Sequence, residues 1–151
     1  MTQPKEVLLS ITGEQRMGRD KDKIELITNG YITEKNGEYI IDYDETIESG
    51  MEGTHTTICA GDDTVTITRT GTRNSQLLLE KDKRHLNHYD TGYGQLVMGI
   101  STSKLENNIK LSGELKVNYS IEMNHALASC NSLFLKIKEI KNHDTKSSFP
   151  N

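Results

Sequence analysis

The stretch Ile109-Lys110-Leu111-Ser112-Gly113-Glu114-Leu115-Lys116-Val117-Asn118-Tyr119-Ser120-Ile121-Glu122-Met123 decides the fold of this chain, because apolar and polar residues alternate along it. Successive side chains of a strand point to opposite faces, so this period of two predicts one long strand with an apolar and a polar face. Such a strand is typical of an antiparallel sheet with one face on a core and the other in water. The stretch therefore predicts the architecture, and it contains no catalytic motif.

Shorter alternating patterns, separated by turn residues, recur along the rest of the chain. We predict further strands near residues 6–15, 23–34, 39–43, 54–60, 64–70, 75–80, 84–89, 95–102 and 132–140. Asn36-Gly37 is the strongest hairpin signal, since both residues tolerate the positive φ of a type I′ turn. Gly30 interrupts an apolar strand face and predicts a bulge or a bend, and Gly113 predicts a bend in the long strand. Residues 44–53 predict a loop, and Gly92-Tyr93-Gly94 predicts a turn.

These patterns predict an all-β protein with no convincing helix. Consecutive strands joined by short turns form an antiparallel meander, and an open meander would have to protect its two edges. Closing the sheet removes the edges, so we expect a β-barrel of about 8–10 strands.

Length and composition predict one small domain. It spans residues 1–151, with a core from about 6 to 140 and a polar tail over 142–151. Hydrophobic residues make up 33% and Trp is absent, so we expect one modest core. The net charge of −4 argues against nucleic acid and anionic membranes as partners. The first residues lack an apolar signal segment and no stretch approaches the ~20 apolar residues of a membrane span, so we expect a cytoplasmic protein.

The two cysteines, Cys59 and Cys130, lie far apart in the sequence. A disulfide framework in a small secreted protein normally uses more cysteines, so we expect two reduced thiols, while a bridge between them stays open as an alternative. Free cysteine behaves mainly as a small hydrophobe. We therefore expect Cys130, near the start of the last strand, to be buried and inert.

Histidine spacing argues against a metal site. On a strand, His85 and His88 are three residues apart and point to opposite faces, so they cannot share one ion. His55 and Cys59 share a strand face but lie roughly 13 Å apart, at about 3.3 Å per residue. Zinc sites need three or four convergent ligands, so we expect neither a metal nor another cofactor.

Carboxylates are plentiful at Asp42, Asp44, Glu45 and Glu48. A carboxylate pair performs acid–base chemistry when one member is desolvated, but these residues lie in or beside a predicted polar loop, where water keeps them ionised. No local signature joins a nucleophile, a base and an orienting group, and no phosphate-binding glycine loop is present. The sequence therefore leans away from an enzyme, and a hydrolase built on a histidine has no motif to support it.

Three polar residues in phase with apolar ones form the candidate ligand site. Arg69 and His88 each continue the apolar phase of their strand, and Tyr119 lies in the apolar face of the long strand. If these faces line the barrel, all three side chains point inward, near a mouth. An inward arginine needs a partner, because an unpaired buried charge is costly. We favour an internal partner, which forms a salt bridge or is a tyrosine that forms a hydrogen bond. The alternative is the anionic group of a ligand.

Six short motifs in a fixed order cover most of the chain. They are Gly30-Tyr31, Tyr39-Ile40-Ile41-Asp42-Tyr43, Arg69-Thr70-Gly71, Tyr89-Asp90-Thr91-Gly92-Tyr93-Gly94, Ser101-Thr102-Ser103-Lys104-Leu105 and Gly113-Glu114-Leu115-Lys116-Val117-Asn118-Tyr119. From about Glu6 to Ile140 this order resembles the YwiB-like family of small bacterial proteins. The resemblance implies a lipocalin-like, calycin-type β-barrel and no established activity. Lipocalins bind small apolar ligands, but the Gly-x-Trp signature of that group is absent here, and fold analogy alone does not assign function.

Two functions of different kinds follow from these observations. In the first, the barrel holds a small amphipathic ligand in or at its mouth, with Arg69 and Tyr119 as polar anchors. This requires an open interior of roughly 300 Å³ or more. In the second, side chains such as Tyr31, Tyr39 and Tyr43 fill the barrel, and the protein acts through its surface as a homodimer or with another partner.

Overall fold

The structure is a computed structural model that describes residues 3–72, 74–90 and 95–140, except for the side chains of residues 88–90 and 95. The described chain forms ten strands, β1 (Lys5–Met17), β2 (Asp20–Lys35), β3 (Glu38–Asp44), β4 (Thr54–Ala60), β5 (Thr64–Gly71), β6 (Ser75–Glu80), β7 (Arg84–Asp90), β8 (Gln95–Asn108), β9 (Glu114–Met123) and β10 (Ala126–Glu139). They pair antiparallel in the order β6-β5-β4-β3-β2-β1-β10-β9-β8-β7. The predicted all-β meander is confirmed. The predicted turn at residues 92–94 and the tail at 142–151 lie outside the described residues.

The sheet curls until its two ends meet, which confirms the predicted barrel. The contact joins the residues after β6 to the middle of β8, where Lys81 forms a bridge with Thr102. The amide of Asp82 donates to the carbonyl of Thr102 at 2.8 Å, and the amide of Thr102 donates to the carbonyl of Lys83 at 3.2 Å. These bonds satisfy backbone groups that an open sheet would leave at its edges.

The core lies inside the barrel and follows the period of two along each strand. Its fully buried apolar side chains are Val7, Leu9, Ile41, Ile58, Val65, Leu79, Ile100, Leu115, Val117 and Leu135. Burying one such side chain stabilises the fold by roughly 1.5–3 kcal/mol relative to leaving it in water. Burial of the apolar residues that alternate along the strands is therefore the main source of the barrel's stability.

One end of the barrel is packed and the other is more open. Strands β1, β3, β5 and β9 run in the same direction, so their later residues lie at the same end. Along β5, Val65 and Ile67 are buried, whereas Arg69 and Gly71 become progressively more exposed. Burial falls in the same way towards Gln15 at the end of β1. Polar side chains consequently gather at this open end.

The prediction of one strand over residues 109–123 is wrong for its first four residues. Ile109–Ser112 form a single helical turn, α1, and β9 begins only at Glu114. The turn buries Ile109 but leaves Leu111 87% exposed, although a strand would have placed both on the same face. Gly113 ends α1 with φ of 75°, and its carbonyl accepts a hydrogen bond from the amide of Ile137 at 2.7 Å. That bond ties α1 to β10 at the packed end of the barrel.

Two smaller predictions also need correction. The pairing of β1 with β2 runs through Gly30 without a bulge, so of the two alternatives predicted there the bulge is wrong. Register shifts lie instead between Thr102 and Lys104 and between Leu127 and Ser129. Gly30 serves close packing: a Cβ there would lie 2.5 Å from the carbonyl oxygen of Asp42. The predicted loop over 44–53 contains a short 3₁₀ helix at Ile47–Ser49.

Candidate functional site

The open end of the barrel contains a cavity of about 310 Å³. Apolar side chains line its inner part and polar ones its outer part; the residues that matter here are Ile11, Leu26, Ile58, Ile67, Leu133, Tyr43, Glu45, Arg69 and Tyr119. Gly13 also lines the cavity, and a Cβ built on it meets no atom within 4 Å. The volume is at the lower end of the roughly 300–1,000 Å³ of ordinary ligand pockets.

Glu45 lies buried in this site, so the prediction of a solvated acidic loop is wrong for this residue. Its side chain is 2% exposed, and its carboxylate accepts a hydrogen bond from the Thr56 hydroxyl at 2.5 Å. Its amide donates to the carbonyl of Thr54 at 2.8 Å, which continues the line of β3 past Asp44. Glu45 therefore keeps the inward phase of Ile41 and Tyr43. Extending that alternation by one step would have identified Glu45 from the sequence.

Arg69 supplies the positive charge opposite Glu45. It pairs with Thr56 across β4 and β5, and its Nε lies 3.8 Å from Oε2 of Glu45. This distance permits charge attraction but exceeds that of a hydrogen bond. Among the described residues, the buried Nε of Arg69 has no hydrogen-bond acceptor, while the side chain as a whole remains 27% exposed. The guanidinium therefore balances a buried carboxylate, and the side chain also lines the cavity.

Two tyrosines complete the polar part of the cavity. Burial raises the pKa of Tyr43, and the charge of Glu45 and a hydrogen bond to it raise that pKa further against the opposing effects of Arg69 and Thr56. Burial also raises the pKa of Tyr119, although the nearby charge of Arg69 opposes this. Both hydroxyls consequently stay protonated at neutral pH. Tyr119 can therefore donate a hydrogen bond to a ligand, while the hydroxyl of Tyr43 forms its hydrogen bond with Glu45.

The structure brings two of the three predicted site residues together. Arg69 and Tyr119 both line the cavity. The backbone of His88 belongs to β7 and pairs with Val97, but its side chain lies outside the described residues. We expected the apolar side of β7 to point into the barrel. This is wrong for Leu86, which is 53% exposed, whereas His85 on the other face is partly buried.

A second polar cluster lies on the outer face of β3 and β4. His55 Nδ1 lies 2.9 Å from Oδ1 of Asp44, and His55 Nε2 lies 3.1 Å from Oδ1 of Asp42. The hydrogen bond to Asp44 is the largest cause that raises the pKa of His55, with smaller contributions from Asp42.

His85 contacts another carboxylate, that of Glu80, at 2.8 Å. Within the described residues, no group of three or more His, Cys, Asp or Glu side chains has the arrangement to hold a metal ion.

Both cysteines are free thiols in the structure. Burial is the main cause that raises the pKa of Cys59, which makes it a weak nucleophile at neutral pH. Cys130 is exposed on the outer face of β10, so the prediction that it is buried is wrong. Its position opposite Ser120 explains the exposure, because this part of the sheet has small polar residues on its outer face.

Comparison with known proteins identifies a family and a fold. The family model described as "Domain of unknown function (DUF1934)" matches residues 9–135. The fold is similar to that of the ywiB protein from Bacillus subtilis, with a TM-score of 0.73 and 14% identity over 93% of this chain and 96% of that chain. The resemblance to the YwiB-like family is thereby confirmed. No curated protein matches the chain. In the described residues, no helix has the length and apolar character needed to cross a membrane.

Proposed function

Since this chain belongs to the family described as a domain of unknown function (DUF1934), we propose from its own residues that it is a cytoplasmic protein that binds a small amphipathic ligand in the open end of its barrel. The observation that carries this proposal is the cavity of about 310 Å³, which has apolar walls and a partly exposed arginine at its polar end. Such a volume suits a small ligand.

The arrangement of the walls indicates how the ligand lies. Its apolar part packs against Ile58, Ile67 and Leu133, which line the inner part of the cavity. Its polar end lies near Arg69 and Tyr119, where hydrogen-bond donors face it. A ligand with an anionic or acceptor group binds the exposed part of the Arg69 side chain. A purely apolar ligand makes no such contact and binds less well.

Native mass spectrometry of the protein from its own host, with two matched variants, tests this proposal. Gly13→Leu adds an apolar side chain where the cavity wall has open space, whereas Thr12→Leu adds one on the opposite face of β1. We expect a small-molecule adduct on the wild type and on Thr12→Leu, and none on folded Gly13→Leu. An adduct that survives in Gly13→Leu, or a wild type without any adduct, contradicts the proposal.

A surface-acting homodimer is the second candidate function. It is favoured by the outer face of β2, where Ile27 is 71% exposed and Tyr31 is 51% exposed on the same strand side, so the prediction that Tyr31 helps to fill the barrel is wrong. Two large apolar side chains on one strand face are suited to contact with a second protein surface. Sedimentation equilibrium distinguishes the candidates: a mass that doubles with concentration and falls in Ile27→Lys supports the dimer, and a constant monomer mass excludes it.

A further inference from the structure

A groove of about 660 Å³ runs across the outer side of the sheet, over β1, β10, β9 and β8. One cross-strand row forms its floor, because Arg16 pairs with Cys130, Cys130 with Ser120, Ser120 with Ser101, and Ser101 with Arg84. Paired residues point to the same face of a sheet. The row therefore places three small side chains between two arginines, which makes a depression with a basic residue at each end.

Each arginine has a lysine beside it. Lys21 pairs with Arg16 across the β1–β2 hairpin, and Lys83 directly precedes Arg84. All four cations line the groove, together with the two carboxylates of Glu14 and Asp82. The lining therefore carries a net formal charge of +2, from four positive and two negative groups, in a protein whose net charge is −4.

Some of these cations already have carboxylate partners. Lys21 lies 3.5 Å from Glu14, Lys83 lies 3.5 Å from Glu80, and Arg84 lies 2.5 Å from Glu122. The lysines are well over half exposed, and exposed ion pairs contribute only about 0–1 kcal/mol, so a ligand anion displaces the partners of the two lysines at little cost. Arg84 stays paired with Glu122 and contributes less to the site. Within the described residues, Arg16 takes part in no ion pair, so its guanidinium is available without any exchange.

The floor of the groove supplies neutral donors. The hydroxyls of Ser101, Ser103, Ser120 and Ser132 line it, as does the amide of Asn118. From Cys130 to Ser101 the floor spans two strand spacings, or about 10 Å at roughly 4.8 Å each. This is wider than a single phosphate needs, and several oxygen acceptors can lie along it between the two basic ends.

We propose that this groove is a second binding site, which takes the diphosphate group of a small molecule. Arginine binds phosphate oxygens through two parallel hydrogen bonds, and the lysines add positive charge without a fixed geometry. The serine hydroxyls bind the remaining oxygens from below. Its paired floor residues point to the opposite face of the sheet from the barrel cavity, although Tyr119 and four other residues line both sites. The proposal does not depend on the function proposed for that cavity.

Titration calorimetry with inorganic pyrophosphate tests the assignment at low ionic strength. We compare the wild type with the double variant Arg16→Gln/Lys83→Gln and with Lys110→Gln/Lys136→Gln, which removes the same charge outside the groove. We expect pyrophosphate to bind the wild type and the control alike, and the groove variant at least about tenfold more weakly, as loss of charge-assisted hydrogen bonds predicts. An equal loss in both variants, or no binding to the wild type, overturns the proposal.

The exposed thiol of Cys130 gives an independent readout, because it lies in the floor of the groove. In a Cys59→Ala background, only Cys130 reacts with a neutral maleimide. Bound pyrophosphate covers this thiol, so we expect its labelling rate to fall several-fold on addition of pyrophosphate, and to stay constant in the Arg16→Gln/Lys83→Gln variant. A labelling rate that pyrophosphate does not change in the wild-type groove overturns the assignment even if the calorimeter detects binding.

Discussion

Gly30 occupies a position in β2 that has no room for any side chain. A Cβ there would lie 2.5 Å from the carbonyl oxygen of Asp42 and 2.6 Å from Cδ1 of Leu9. Because the first of these atoms belongs to the backbone of β3, the clash can be relieved only by moving a strand. We expect Gly30→Ala to lower the free energy of unfolding by about 2 kcal/mol, as overpacking does elsewhere, in equilibrium urea unfolding.

Gly13 is the matched control for this prediction, since it also lies in a strand but a Cβ added to it would have no atom within 4 Å. We expect Gly13→Ala to change the free energy of unfolding by less than about 1 kcal/mol, because the methyl group meets no obstacle and alanine restricts the unfolded chain. Equal losses in the two variants would show that strand propensity, and not the approach of Asp42 and Leu9, explains the cost.

His55 makes the stability of the protein depend on pH. Because Asp44 and Asp42 raise its pKa in the folded state, protonation of the imidazole stabilises the fold. This contribution is complete below the unfolded pKa of about 6.5 and is lost as the pH rises through the higher folded pKa. The side chain is about half exposed, so the contribution is at most about 1 kcal/mol.

Urea unfolding of the wild type and His55→Gln across this pH range checks the prediction. We expect the wild type to be the more stable protein at about pH 6, with the difference shrinking towards about pH 9. Asp44→Asn removes the largest cause of the raised pKa and should weaken the dependence. A difference in stability that does not vary with pH would be incompatible with a protonated His55 held by these carboxylates.

Some individual residues of the barrel cavity are predictable from the sequence. Arg69 and Tyr119 were recognisable because each follows apolar residues in strand phase, and both line the cavity. Glu45 was missed because a residue in an acidic stretch is normally solvated, whereas here the hydrogen bond from its amide to the carbonyl of Thr54 extends β3 and turns the side chain inward. The alternation of Ile41 and Tyr43 points to Glu45, but only the long-range pairing decides that the strand continues past Asp44.

Among the elements, α1 depends on the glycine that ends it. Gly113 and Gly50 both have φ of 75° and both follow a short helical turn, but only at Gly113 does a Cβ approach a backbone atom, the carbonyl oxygen of Ile137, at 2.5 Å. We expect Gly50→Ala to cost about 1–2 kcal/mol for the left-handed conformation alone. Gly113→Ala should cost about 2 kcal/mol more, because α1 must also move away from β10.

Urea unfolding of both variants measures this difference directly. Near-equal free energies of unfolding for Gly113→Ala and Gly50→Ala would mean that α1 and β10 adjust freely and that the bond from the Ile137 amide to Gly113 contributes little.

The strands were predictable because each one shows the period of two that its buried face requires. All ten occur in the predicted order, although β8 ends six residues later, β9 begins five residues later and β10 begins six residues earlier than predicted. The helical turn was not, because Ile109, Leu111 and Leu115 satisfy strand phase equally well in sequence. Tertiary bonds decide between the two: the Asn107 side chain accepts a hydrogen bond from the amide of Ile109 at 3.1 Å, and β10 bonds to Gly113. A four-residue element has too few intrinsic preferences to outweigh such contacts.

For the whole molecule, the pairing of β1 with β10 dominates folding kinetics. Residues such as Leu9 and Ile137 face each other although most of the chain lies between them. Contacts of this kind carry a large loop-closure cost, so we expect refolding on the millisecond-to-second timescale typical of β-barrels. Stopped-flow measurement should use the fluorescence of the 6 tyrosines, because the chain has no Trp. Refolding within microseconds would contradict this account of the topology.

The same pairing has a consequence for the newly made chain in the cell. While the ribosome synthesises β2 to β9, the edge of β1 that faces β10 has no native partner, because that partner is the last strand to emerge. The nascent meander thus exposes hydrogen-bonding groups and the apolar face of Val7, Leu9 and Ile11 until residue 139 has left the exit tunnel. During that interval, β1 is exposed to pairing with other chains.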